Sequence, residues 1–161
     1  MINKKKLLEE IIEILSLDID NLSKAARVAH ADATNEESKA ENKYDTRGLE
    51  ASYLAGAQAK MAFEAAQNLA CYKNLELKEF SNKSRVSLTA IVELEAEDGS
   101  RSFYFIGPKS GGVEINHSGT KVFLITPSSP LGQKLIGREV GDSVKVAAAG
   151  VKKIYEVVEL Y

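Results

Sequence analysis

The sequence predicts an α+β protein in which an N-terminal antiparallel coiled-coil hairpin precedes a smaller, twisted antiparallel sheet with one short helix. Three observations predict it. The chain up to about residue 75 is rich in Ala, Leu, Glu and Lys and holds no proline. Beyond residue 84, Val, Ile, Thr, Phe and Tyr come in short runs, with most of the glycines and all three prolines, Pro108, Pro127 and Pro130. The first half also carries an apolar heptad, the mark of a helix that packs along one seam. The corresponding boundaries are a hairpin over 1–78, a linker over 79–84 and a β-rich domain over 85–161.

The heptad runs through Leu8, Ile12, Leu15, Ile19, Leu22, Ala26, Ala29 and Ala33, spaced alternately by four and three residues. A helix resting on a globular core shows such a seam for about two heptads, and nearly four argue for a coiled coil. The seam tapers from Leu and Ile to Ala, so a partner helix approaches more closely towards residue 33. That partner is a second helix from Thr46 to Tyr72, folded back on the first. Alanine sits on every face of it, which leaves its own seam ambiguous. Each arm has about 30 residues and a length of roughly 45 Å. A hairpin that satisfies its own seam needs no second copy, so a monomer is expected.

In the second half the candidate strands are Arg85–Ala96, Ser102–Gly107, Lys121–Thr126, Ser143–Ala147 and Ile154–Leu160. Asp98-Gly99 between the first two is a type I′ hairpin signal. Pro130–Ile136 lacks β-branching until its end and reads as one or two helical turns, with Ser129 as N-cap and Gly137 past the C-terminus. Lys109-Ser-Gly-Gly-Val-Glu114 lacks the spacing of a phosphate loop and is expected to be a flexible hairpin turn. His117 is expected in the surface loop before Lys121, His30 on a helix surface, and Cys71 packed and inert.

Composition narrows the function. The chain has 161 residues, 44% hydrophobic and 27% charged, enough apolar material for a core. Its formal net charge of -2 argues against a non-specific nucleic-acid coat. One cysteine and two distant histidines make a Cys-based zinc site or a Ser/His/Asp triad a poor expectation. No apolar run approaches the roughly 18 residues of a membrane span, and acids interrupt the apolar residues of the opening MINKKKLLEEIIEIL. A cytoplasmic protein that does not engage a membrane is expected.

Between the two arms, Asp32, Glu36, Glu37, Glu41 and Asp45 place five carboxylates in fourteen residues. Glu37, Glu41 and Asp45 stand four residues apart and share a face if the stretch is helical. Grouped carboxylates suit a hard divalent cation such as Mg²⁺, which completes its shell with oxygens of another molecule. The alternative is a solvated tip kept soluble by its charge.

An acidic-tipped hairpin followed by Thr126-Pro-Ser-Ser-Pro-Leu-Gly-Gln-Lys-Leu-Ile-Gly-Arg-Glu-Val-Gly-Asp142 resembles the bacterial Gre transcript-cleavage factors. Ser-Pro-Leu-Gly, Leu-Ile-Gly and Gly-Asp stand in that family's order and spacing, and the tail Ile154–Tyr161 looks like its closing strand. The resemblance covers essentially the whole chain, with Glu41-Asn42 matching the family's tip pair. It implies an FK506-binding-protein-like (FKBP-like) β domain that binds RNA polymerase near the mouth of its secondary channel, with Ser129, Pro130, Leu131 and Gly132 in the docking loop. It implies a hairpin inside that channel. There Glu41, with Glu37 and Asp45, would act as catalytic and metal-binding acids, sharing Mg²⁺ with the polymerase active site next to the nascent RNA 3′ end. The chain would then be an accessory factor for the polymerase's own nuclease chemistry and not itself an enzyme. One departure stands out: the family tip reads Asp-x-x-Glu-Asn, and the leading position here is Ser38, a neutral and weaker Mg²⁺ ligand. Two alternatives follow. One is a channel-binding regulator without cleavage stimulation. The other, from the β-domain fold alone, is a peptidyl-prolyl isomerase or chaperone, which the lack of tryptophan disfavours.

Overall fold

A computed structural model describes residues 2–35, 46–148 and 151–161, with backbone only at 147, 148, 151 and 152. Its elements in order are α1 (Lys4–Thr34), α2 (Arg47–Lys73), β1 (Ile91–Ala96), β2 (Arg101–Ile106), β3 (Glu114–His117), β4 (Thr120–Ile125), α3 (Pro130–Leu135), β5 (Ser143–Ala148) and β6 (Val151–Leu160). They form two compact units. One holds Ile12–Lys73, and the other holds the chain up to Ile11 together with Asn74–Tyr161.

The first of these is the helical hairpin. From Ile12 to Ala33, each heptad position of α1 is buried or half-buried, while most residues between them are exposed. The hydrophobic stripe foreseen from spacing is therefore the stripe that packs. The seam of α2, which alanine obscured, is Gly48, Ala51, Ala55, Gln58, Ala62, Ala65, Leu69 and Tyr72, each at least partly covered. Small residues dominate it, so burial per position is low and the two backbones can approach. The larger side chains Leu49, Tyr53, Leu54, Met61 and Phe63 are instead all at least half exposed.

The second unit is built on a six-stranded sheet in the order β3-β4-β2-β1-β6-β5. The sheet is mixed and not wholly antiparallel as expected, because β2 and β4 run parallel. The cause is β3, a strand the sequence pattern concealed. It has four residues and one buried aliphatic, Ile115, among Glu114, Asn116 and His117. The glycine-rich segment 107–113 is thus no hairpin turn. It carries the chain past β4, with Gly112 N–H donating to the Leu124 carbonyl at 2.8 Å. The actual hairpin is β3–β4, closed at Ser118-Gly119, where φ is 52° and 86°.

Two further expectations are corrected. β1 starts at Ile91 and not at Arg85, because Val86 spends its backbone on Arg138 and Gly137 and Thr89 turns the chain at φ 72°. The β1–β2 turn has positive φ at Gly99 and not at Asp98, so it is not type I′, which requires both. Asp98 instead accepts from Ser100 N–H at 2.9 Å.

One sheet face gathers Val92, Leu94, Ile106, Val144, Val157 and Leu160 around Leu135 of α3. Ile91, Phe105, Ile115, Val122 and Leu124, which alternate with that set along the strands, are also fully or almost fully buried, as are Leu7 and Ile11 of the first turns of α1.

His117 ties those first turns to β3. Its Nε2 accepts from Asn3 N–H at 3.2 Å, which leaves the proton on Nδ1, 2.7 Å from Glu10 Oε2. The ring is 4% exposed, against the surface position expected. His117→Ala removes a buried ring and leaves Asn3 N–H and Glu10 without it, and is expected to cost about 1–3 kcal/mol in urea denaturation. Glu10→Gln, which keeps an acceptor for Nδ1–H, is expected to cost less.

Candidate functional site

The sequence-derived acids Glu37, Glu41 and Asp45, with Ser38 and Asn42, lie outside the described residues. Among the described residues no group of three His, Cys, Asp or Glu side chains is placed to hold a metal ion. Also among them, no helix is long and apolar enough to cross a membrane. His30 is exposed on α1 and lines a groove with Ala26, Ala33, Ser52, Ala55 and Ala59. Cys71 is exposed and not packed, because it falls outside the α2 seam.

The loop over 126–142 is described in full. Ser129 is the N-cap of α3, with φ -66° and ψ 154°. Its Oγ accepts from Gly132 N–H at 3.0 Å and donates to the Thr126 carbonyl at 2.8 Å. Pro130 occupies the first helical turn, where its missing N–H has no consequence. Leu131 packs against the core cluster below. Gly132 is buried, and a Cβ there would meet the Thr126 carbonyl oxygen well inside van der Waals contact. The Ser-Pro-Leu-Gly run is thus a fold-forming motif: cap, helix start, anchor and close approach in successive residues.

The rest of the motif has similar duties. Gly137 takes φ 80° and donates to the Val86 carbonyl at 2.8 Å, which no β-carbon-bearing residue does without strain. Asp142 Oδ2 accepts from Glu139 N–H at 3.0 Å and closes the turn into β5. The side chains that remain at the surface are Ser128, Pro130, Gln133, Lys134, Ile136, Arg138 and Glu139. Ile136 is notable as a large apolar side chain left 40% exposed beside polar groups.

The same segment lies within a family match. The model of the family "Transcription elongation factor, GreA/GreB, C-term" matches residues 81–161, the whole sheet beyond the linker with α3 and its loop. The chain belongs to the GreA/GreB family. It is 32% identical over 99 residues to the transcription elongation factor GreA of Syntrophus aciditrophicus, covering 61% of this chain and 57% of that protein. It is 34% identical over 76 residues to GreA of Agrobacterium fabrum, covering 46% and 44%. The matched stretch thus spans about half the length of these curated relatives. Among solved structures, Gfh1 of Thermus aquaticus is 22% identical over 92% of each chain, with a TM-score of 0.43.

Sequence reasoning missed one polar network in the GreA/GreB-type unit. Glu93 and Glu159 face each other across β1 and β6. The Tyr161 hydroxyl lies 3.0 Å from Glu93 Oε2 and 2.7 Å from Glu159 Oε2, and Arg101 Nη1 donates to Glu93 Oε1 at 2.8 Å. Glu93 is 4% exposed, so these partners hold a buried carboxylate. The alternation of β1 placed Glu93 in a strand, but its partners are remote in sequence. Burial, then the hydroxyl's bonds to Glu159 and Glu93, push the Tyr161 phenol well above its ordinary value. The folded state therefore holds the phenol proton more tightly than the unfolded chain does. Stability contributed by this proton is complete below about pH 10, the unfolded value, and is lost as pH rises further. Melting temperatures measured across that range are expected to fall more steeply for the wild type than for Tyr161→Phe. At pH 7 the same variant is expected to be less stable by about 1 kcal/mol.

Proposed function

We propose that the chain is a transcription elongation factor that docks on bacterial RNA polymerase through its sheet unit, inserts its hairpin in the secondary channel and stimulates cleavage of backtracked RNA. The observation that supports this most is the family match over 81–161, which takes in the complete 126–142 loop. That loop spends Ser129, Leu131 and Gly132 on its own shape and offers Pro130 and Ile136 outward, an apolar pair suited to a partner surface.

The acids of the tip carry the chemical part of the proposal. Glu41, with Glu37 and Asp45, would supply carboxylate oxygens, the donor type Mg²⁺ prefers, to an ion shared with the polymerase. That ion, when bound, supplies Lewis acidity and a more acidic water. The chain contributes ligands and position, and the polymerase contributes the remaining catalytic groups. In this scheme the factor is an accessory and has no nuclease activity alone.

Ser38 favours a second reading, in which the chain occupies the channel as a regulator and stimulates no cleavage, because one tip carboxylate is replaced by a neutral hydroxyl. Binding is common to both readings and is tested first. Sedimentation with core RNA polymerase is expected to show one copy bound per polymerase. Pro130→Asp combined with Ile136→Asp is expected to weaken it by about tenfold or more. Unchanged binding by that double variant would remove the loop from the interface.

A further inference from the structure

The sheet unit also holds a cavity whose lining includes no residue of the 126–142 loop. Its volume is about 720 Å³, and it opens between the first turn of α1 and the segment that follows α2. That volume falls within the range of small-molecule sites, roughly 300–1,000 Å³. Leu8, Leu75, Leu77, Phe80 and Leu160 form its apolar wall.

Its charged members are Lys4, Lys5 and Glu79, which leaves one positive charge in excess among the lining side chains. The Lys4 ammonium donates to the Lys78 carbonyl at 2.7 Å and lies 4.6 Å from the centroid of the Phe80 ring. An ammonium has three N–H donors, so a carbonyl and a ring face leave capacity for one more acceptor. Burial draws the Lys4 ammonium below the ordinary lysine range, and Glu79 opposes that shift. No acidic residue stands in the first turn of α1, so the positive end of the helix adds to the same field.

We propose that this cavity binds a small amphiphilic carboxylate, its chain along the leucines and Phe80 and its carboxylate on Lys4 and Lys5. A partly desolvated ammonium gains most from an anionic oxygen, because charge-assisted hydrogen bonds strengthen where water is excluded. A neutral head group leaves the ammonium as it stands, and a cationic one is repelled. The proposal is independent of polymerase binding and of the tip acids.

Isothermal titration of the full chain with three ten-carbon amphiphiles below their micelle concentrations tests it. Decanoate is expected to bind one-to-one, about tenfold tighter than decyl maltoside and tighter still than decyltrimethylammonium. Lys4→Met keeps an unbranched apolar side chain and is expected to remove most of the preference for decanoate while decyl maltoside affinity stays the same. If that variant does not fold, the order of the three head groups on the wild type decides alone. Equal binding of all three, or no saturable one-to-one binding of decanoate, overturns the proposal.

Discussion

Glu41→Ala is expected to reduce stimulated RNA release by about a hundredfold or more while polymerase affinity changes by about twofold or less. The asymmetry follows from the division of labour in the proposed mechanism. In that mechanism docking would rest on the sheet unit, so a tip carboxylate would contribute little to holding the factor in place. A ligand to a shared metal acts only when the reacting atoms are present, and its loss appears in the rate. Glu37→Ala and Asp45→Ala, measured beside it, identify which carboxylate stands in at the position Ser38 leaves neutral. The variant that falls with Glu41→Ala is the substitute. Loss of binding by Glu41→Ala would instead make that acid part of the docking surface or of the fold.

Gly132→Ala is expected to be the most damaging single methyl in the sheet unit, lowering stability by about 3 kcal/mol in urea denaturation. The added Cβ meets the Thr126 carbonyl and lies 2.9 Å from Ser129 Oγ. Both atoms belong to the cap that starts α3, so the methyl cannot be accommodated without breaking the Ser129 bonds. Gly56→Ala is the contrasting case. Gly56 is exposed in the middle of α2 with open space around its Cβ position, and the substitution is expected to stabilise by about 0.5–1 kcal/mol. A comparable loss at both sites would mean that backbone freedom, and not the close approach at Gly132, sets the cost.

The elements most legible in the sequence were those whose signal is local. The α1 heptad placed its buried stripe because spacing alone fixes which residues share a helix face. Ser129, Pro130 and Gly137 marked both ends of α3, since caps are local chemistry. The α2 seam was hidden by alanine, which carries no amphipathic contrast. β3 was hidden by its length and by Glu114, Asn116 and His117. His117 looked like a surface residue because both of its partners, Asn3 and Glu10, lie more than a hundred residues away in sequence. A separation of 68 residues likewise concealed the Tyr161–Glu93 contact. Missing β3 also gave the wrong strand direction: β3, which follows β2 in sequence and pairs antiparallel with β4 at the sheet edge, returns the chain so that β4 runs parallel to β2. The 126–142 loop stood out by its motif, and Ser129, Leu131 and Gly132 prove to be occupied in shaping the loop itself.

The most direct measurement is release of 3′-terminal RNA fragments from stalled, backtracked elongation complexes with and without the wild-type chain. Mg²⁺-dependent release of short fragments, followed by renewed elongation, is the predicted result. Unchanged RNA in complexes to which the chain is demonstrably bound would contradict it.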